Sequence, residues 1–229
     1  MKLRNLVLAI AALASAGMVS AATQTNDYGS YSVSYDDSTI FSNPSYNFSG
    51  GAGSVGFGWS VADSVSVAAF GTSSTTQTFA LPDFTITANA GYSLSGPFTS
   101  FAGNLVFTEY GGNTSAWSTT NVSIDGGPAS PINVLLNQTV TNSVPGYSTG
   151  YFSENSSTML PSFNSLSFTG GSLTLVANAT GGFASITSQN QNKMEFGFTA
   201  MPVPEPESYA MMLAGLALVG AMARRRRSN

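Results

Sequence analysis

The chain contains no cysteine and no histidine, and between Asn5 and Ala223 its one basic residue is Lys193. These absences close off whole classes of chemistry. Ser-His-Asp and Cys-His nucleophiles are excluded, as are zinc sites built from His or Cys. An exported chain without cysteine has no disulfide, so burial alone must hold its fold. Lys193 is left as the sole candidate for a Ser-Lys base. It sits opposite in phase to Met194 and Phe196, which reads as a solvated side chain. Charged residues are only 8% of the chain, about a third of the usual ~25%. The acids of residues 22–200 are Asp27, Asp36, Asp37, Asp63, Asp83, Glu109, Asp125, Glu154 and Glu195, nine against one lysine, for a net charge of 1 − 9 = −8. That balance excludes an electrostatic nucleic-acid site and disfavours anionic membranes. The acids are scattered and Asp36-Asp37 lies in no D-x-D-x-D loop, so it reads as a solvated turn, not a calcium site. No metal, cofactor or catalytic residue is assigned, and the body is read as non-catalytic.

Low charge is not disorder here, because 42% of the residues are hydrophobic and they alternate. Val55-Gly56-Phe57-Gly58-Trp59-Ser60-Val61 places a large apolar residue at every second position. Val65, Val67 and Ala69 repeat the pattern, as do Phe84, Ile86 and Ala88, then Leu173, Leu175 and Ala177. Met194, Phe196 and Phe198 alternate with polar neighbours. Period-2 patterning indicates strands with one wet face. Weaker candidates are 31–35, 105–110, 122–124, 132–136 and 166–168. Within the body no helix is expected before Ser208. Two one-sided sheets must cover each other, so the expected fold is all-β, an antiparallel β-sandwich of jelly-roll-like form over residues 22–200. Asp125-Gly126 and Thr169-Gly170-Gly171-Ser172 read as hairpin turns. The polar stretches 71–78 and 147–158 read as long loops.

The two ends carry addresses. Lys2 and Arg4, the apolar run Leu6–Leu13 and the small residues after it form a secretory signal over residues 1–21, expected to be helical. Val19-Ser20-Ala21 fits the cleavage rule, and Ala14-Ser15-Ala16 is a second candidate. At the other end a Pro-rich linker, 201–207, precedes an apolar segment, 208–223, read as a transmembrane helix. It is slightly short for a ~30 Å hydrocarbon core. Arg224, Arg225, Arg226 and Arg227, in the terminal stretch 224–229, then act as a stop signal that stays cytoplasmic.

Val203-Pro204-Glu205-Pro206, an apolar helix and a terminal arginine cluster, in that order, resemble the PEP-CTERM sorting signal of Gram-negative bacteria. The same tail is also described as an ice-binding protein C-terminal region. The resemblance covers about residues 203–227 and does not extend to the body, which lacks the F-x-D-x-F motif of one branch. It implies an exosortase as processing partner, residence at the inner membrane before processing, and a host that makes exopolysaccharide. The local physics agrees. Pro204 and Pro206 hold the segment extended and leave Glu205 as its charged feature.

For the body, two classes follow. One is a non-catalytic surface or matrix protein associated with exopolysaccharide. The other is a lectin-like binder or a carboxylate-based sugar-active enzyme on the same scaffold. Tyr92, Tyr110, Tyr147, Tyr151 and Trp117 are candidates for stacking on sugar, with Trp117 foremost because its surroundings are rich in Ser and Thr. Trp59 shares the phase of Phe57 and Val61 and reads as core. A flat threonine-lined face would favour ice binding, but Thr85-Ile86-Thr87 is the one short T-x-T on a clear strand. The N-x-S/T sequons are what an Asn/Ser/Thr-rich chain produces by chance.

Overall fold

The computed structural model describes residues 23–36, 46–61, 64–132, 137–204 and 206–227. The signal segment, Asp37, Asp63 and Glu205 lie outside the described residues. The body is β1 (Thr23–Asp27), β2 (Tyr31–Asp36), β3 (Tyr46–Ser49), β4 (Ser54–Ser60), β5 (Ser66–Gly71), β6 (Ser74–Ala80), β7 (Phe84–Ala88), β8 (Tyr92–Ile124), β9 (Ser130–Ile132), β10 (Asn137–Thr158) and β11 (Ser165–Pro202). One helix, α1 (Pro206–Arg227), follows.

All eleven strands belong to one antiparallel sheet. The expected pair of separate sandwich sheets is therefore corrected: hydrogen bonding is continuous, and a single sheet covers itself by folding over. Its spine is the ribbon β8–β11. Along its other edge β11 pairs in turn with β7, β6, β5 and β4, while β10 lines the far edge of β8. The fold line is read from Glu109 and Thr114. Five residues apart on a regular strand, they would be about 16 Å apart on opposite faces. Here both are buried, and the Thr114 hydroxyl donates to Glu109 Oε1 at 2.6 Å. The strand doubles back at Gly111-Gly112, opposite Gly181-Gly182, where the β8–β11 register shifts between Ala179 and Phe183.

Glycine is needed at this corner. Gly111 and Gly181 have φ of 62° and 121°, a region that side chains disfavour. A Cβ on Gly182 would press into the Tyr110 carbonyl, and one on Gly112 would meet the Asn178 carbonyl oxygen at 2.6 Å.

Folding over makes two leaves. The first joins β1, β2, β7 and β6 to residues 112–124 of β8 and 165–179 of β11. The second joins β3, β4 and β5 to residues 92–110 and 183–202 of the same two strands. Phe168 and Phe196, at opposite ends of β11, have ring centroids 5.4 Å apart. Phe84 of the first leaf lies 5.8 Å from Phe57 and 5.0 Å from Trp59 of the second. Tyr31 crosses the same core and donates its hydroxyl to Gly56 O at 2.8 Å; burial pushes its phenol pKa upward. Trp59 is fully buried, as its phase indicated.

Two turns were expected. Asp125 and Gly126 both have positive φ, 49° and 71°, and Gly127 N–H closes the turn on Ile124 O at 2.9 Å, the geometry of a tight hairpin. Thr169–Ser172 is not a hairpin. Both flanks pair with β8, Thr169 with Asn121 and Ser172 with Thr119, so the two glycines make a bend within β11. The stretches read as loops are largely strand. β6 occupies 74–80, and 147–158 belongs to β10. Both are polar because their outward side chains face water, which hides strand character from a hydropathy pattern.

The C-terminal segment forms a helix, but the transmembrane expectation is corrected: no helix among the described residues is long and apolar enough to cross a membrane. The uninterrupted apolar run, Ala210–Ala223, has 14 residues, about 21 Å of helix at 1.5 Å per residue, and alanine and glycine dilute its hydropathy.

A fragment from Ala22 to Val203 is expected to melt cooperatively with a β-type circular dichroism spectrum. Phe196→Ala should lower its stability by about 3–5 kcal/mol, and Gly182→Ala should destabilise it by about 1–3 kcal/mol through crowding of the corner. Denaturant titration measures both; an unchanged midpoint for Gly182→Ala rejects the corner as described.

Candidate functional site

The sorting segment leaves the sheet without slack. β11 runs on to Pro202, paired with Tyr92, and Val203 N–H donates to Gly91 O at 2.8 Å. Strand structure thus reaches into the stretch expected as linker. Val203 and Pro204 are exposed, and Pro206 opens α1, where its missing N–H costs nothing. On α1, Met211, Met212, Leu213, Leu216, Leu218, Val219 and Met222 are 56–75% exposed, so the helix presents its apolar side chains outward and not to the sheet. Arg224 is exposed, and helical backbone continues through Arg225, Arg226 and Arg227.

The outer faces of the two leaves differ. On the first, cross-strand register aligns Thr25, Ser34, Thr85, Ser167 and Ser123 across five strands. Their hydroxyls bond sideways, Thr25 to Ser34 at 2.9 Å and Thr85 to Ser167 at 2.9 Å. Further along, Thr78 and Thr174 bond at 3.1 Å, and Trp117, 37% exposed, is the β8 partner of Thr174. Trp117 is therefore a single ring among hydroxyls.

The second leaf carries the aromatics. Phe70 of β5, Phe183 of β11, Tyr110 of β8 and Tyr147 of β10 are consecutive partners in one row across four strands. Phe70 and Phe183 stack with centroids 6.5 Å apart. Phe70, Tyr110 and Tyr147 are 69%, 48% and 68% exposed. Tyr151 stands four residues along β10 and is also exposed. Sequence reasoning named Tyr110 and Tyr147 but missed the row, since register between strands distant in sequence is what creates it. Tyr92 lies at the other end of β8, beside Pro202.

Most described carboxylates serve the backbone. Asp27 accepts from Gly29 N–H at 2.8 Å and Asn89 Nδ2 at 2.7 Å, bonds that hold its pKa below the usual value. Asp83 accepts from Gly170 N–H, Asp125 from Asn164 and Ser165 N–H, and Glu154 from Asn137 N–H. Glu195 pairs with Lys193 at 3.6 Å. No group of three or more His, Cys, Asp or Glu side chains able to hold a metal occurs among the described residues. Glu109 is the exception to these surface duties. It is fully buried at the fold line and its Oε2 has no partner, so desolvation pushes its pKa up against the opposing bond from Thr114.

Two openings of about 390 Å³ each accompany these surfaces. One lies between the leaves, where Phe98, Val122, Ile124, Leu166 and Phe168 make an apolar floor and Ser130, Ser156 and Thr158 supply hydroxyls. The other lies on the outer face of the second leaf, beside Phe48 and Glu195.

With this geometry in place, residues 202–227 match the PEP-CTERM protein-sorting motif. That motif implies an exported protein, sorted and processed by an exosortase. No curated protein matches the chain. Among solved structures the chain is similar to the enzymatically active domain of bacteriophage CBA120 tailspike protein 4, at 11% identity and a TM-score of 0.19, over 80% of this chain and 19% of that one. It is also similar to the structure of infectious bursal disease virus Gx strain, at 14% identity and a TM-score of 0.20, over 86% of this chain and 59% of that one. Less than two thirds of each of those chains is spanned, and at such scores neither likeness bears on fold or function.

The buried Glu109 sets a pH dependence. Its folded pKa is raised, so its protonated form is favoured in the fold and stability should fall as pH rises from the unfolded value of about 4.3 toward the folded one. Glu109→Gln should remove that fall and raise the melting temperature at pH 7 relative to the parent. Melting curves from pH 4 to 8 provide the check.

Proposed function

We propose that the protein is a non-catalytic surface or extracellular-matrix protein whose body binds exopolysaccharide. In this reading an exosortase at the inner membrane acts on the Val203–Pro206 segment. The protein is then delivered to the cell surface or matrix.

The observation that carries the binding reading is the row Phe70–Phe183–Tyr110–Tyr147. Exposed rings in register across a sheet form a platform for the apolar faces of sugar rings, and the Ser and Thr hydroxyls beside them suit a hydrated polymer. Each hydrogen bond of this kind contributes only about 0.5–1.5 kcal/mol net, so retention relies on many contacts along one chain. In co-sedimentation with the host's exopolysaccharide, the protein should pellet with the polymer. Tyr110→Ala combined with Tyr147→Ala should release most of it, and Trp117→Ala should loosen it if that ring adds a contact on the other leaf. Steady release of reducing ends, lost on changing one Asp or Glu, would make the protein a hydrolase instead.

The sorting reading has its own test. Replacing Arg224–Arg227 with Gln should leave the body folded but block processing and delivery, read by mass spectrometry of the C-terminus and by cell fractionation. Normal processing would show that the cluster does not present the signal.

The hydroxyl face of the first leaf favours a second reading, ice binding, because its threonines and serines form regular rows. Thermal hysteresis that disappears with Thr85→Tyr would select it.

A further inference from the structure

The opening beside Phe48 has a construction that polymer stacking alone does not require. Cross-strand register puts Phe48, Gly56, Gly197, Thr99 and Ser157 in one row across five strands. The next row is Tyr46, Gly58, Glu195, Phe101 and Asn155, so Glu195 and Asn155 are separated by the β8 position Phe101. Three glycines thus remove side chains from the middle of an outer face. The vacated space is in use: a Cβ on Gly56 would collide with the Phe48 ring, and one on Gly197 would sit 2.6 Å from Thr99 Oγ1. The result is a groove of about 390 Å³ walled by a phenyl ring and closed by Thr99, Asn155, Ser157 and Glu195. Phe48 stays 39% exposed along it.

The lining states the chemistry of its occupant. A ring wall suits an apolar face. The Asn155 amide both donates and accepts, the Thr99 and Ser157 hydroxyls do likewise, and the Glu195 carboxylate accepts only. A ligand meeting all of these is flat on one side and bears several hydroxyl donors on its edge. Lys193, 3.6 Å from Glu195, offsets that carboxylate locally, but the body as a whole carries 1 − 9 = −8 over residues 22–200, so its field disfavours an acidic sugar. The volume lies at the small end of the ~300–1,000 Å³ range of ligand pockets.

We propose that this groove is a saccharide subsite selective for neutral pyranose units over uronic acids. The proposal rests on the glycan-binding reading and adds the class of sugar that the second leaf holds. Phe48 stacks on the ring, and Asn155, Ser157, Thr99 and Glu195 bond its hydroxyls.

Native affinity electrophoresis of the full-length chain through gels containing hydroxyethylcellulose, galactomannan, dextran or polygalacturonate tests it. At least one neutral polymer should retard the protein and polygalacturonate should not. Phe48→Ala and Asn155→Ala should each weaken the retardation by about ten-fold, equivalent to about 1.4 kcal/mol. Glu195→Gln should weaken it less and admit polygalacturonate. Asn155 is exposed, so its variant keeps the test valid if Phe48→Ala disturbs β3. If the Phe48 and Asn155 variants bind like the parent while Tyr110→Ala with Tyr147→Ala does not, the groove is wrong and the stacking platform stands. Preference for polygalacturonate over every neutral polymer overturns the selectivity. If the parent ignores all four polymers and the host's exopolysaccharide as well, both readings fall.

Discussion

The structure depends on one steric allowance, the close approach of backbone at the paired glycines Gly111-Gly112 and Gly181-Gly182. A flat sheet with one apolar side has nowhere to hide that side. Folding the ribbon at these four residues brings Phe168 against Phe196 and Phe84 against Phe57 and Trp59, and the chain becomes its own partner. No disulfide assists, because there is no cysteine. Everything then rests on ring packing inside and on a corner that tolerates no added carbon at Gly182. Glu109 marks the cost of turning there: a carboxyl is carried into the fold line with one oxygen unpartnered.

Folding a single sheet also assigns distinct duties to its outer faces. The first leaf turns outward a ladder of Ser and Thr whose hydroxyls bond sideways to one another. The second turns outward aromatic rings, a glycine-floored groove and the Lys193–Glu195 pair. A charge-poor protein keeps such surfaces compatible with water through hydroxyls and amides instead of ions. The carboxylates it does have at turns are consumed by backbone N–H groups, as at Asp83 and Asp125.

What the sequence disclosed was local. Alternation in 55–61, 84–88 and 194–198 marked strands whose buried phase the structure keeps, and Asp125-Gly126 announced its turn because both residues accept positive φ. The tail was legible for the same reason, being a linear signal. Register was not legible. Nothing in the order of residues pairs Phe70 with Phe183 or Phe183 with Tyr110, and the platform exists only once β11 threads between β5 and β8. Polar strands such as β6 gave no apolar rhythm to read. Gly170-Gly171 resembled a hairpin turn, because a bend that keeps its neighbour and one that changes it use the same residues. The C-terminal helix was recognised as helix, but its alanine and glycine content left it short of a span.

β11 is the last part of the body to be synthesised, and it supplies an edge to β4, β5, β6, β7 and β8. Until residues 165–202 are in place, five earlier strands each lack one neighbour and the two leaves cannot shut. The order of synthesis therefore leaves the sheet open until its last strand is complete. Because Val203 is hydrogen-bonded directly behind the final pairing of Pro202 with Tyr92, the sorting peptide begins where the sheet ends, with no free chain between them.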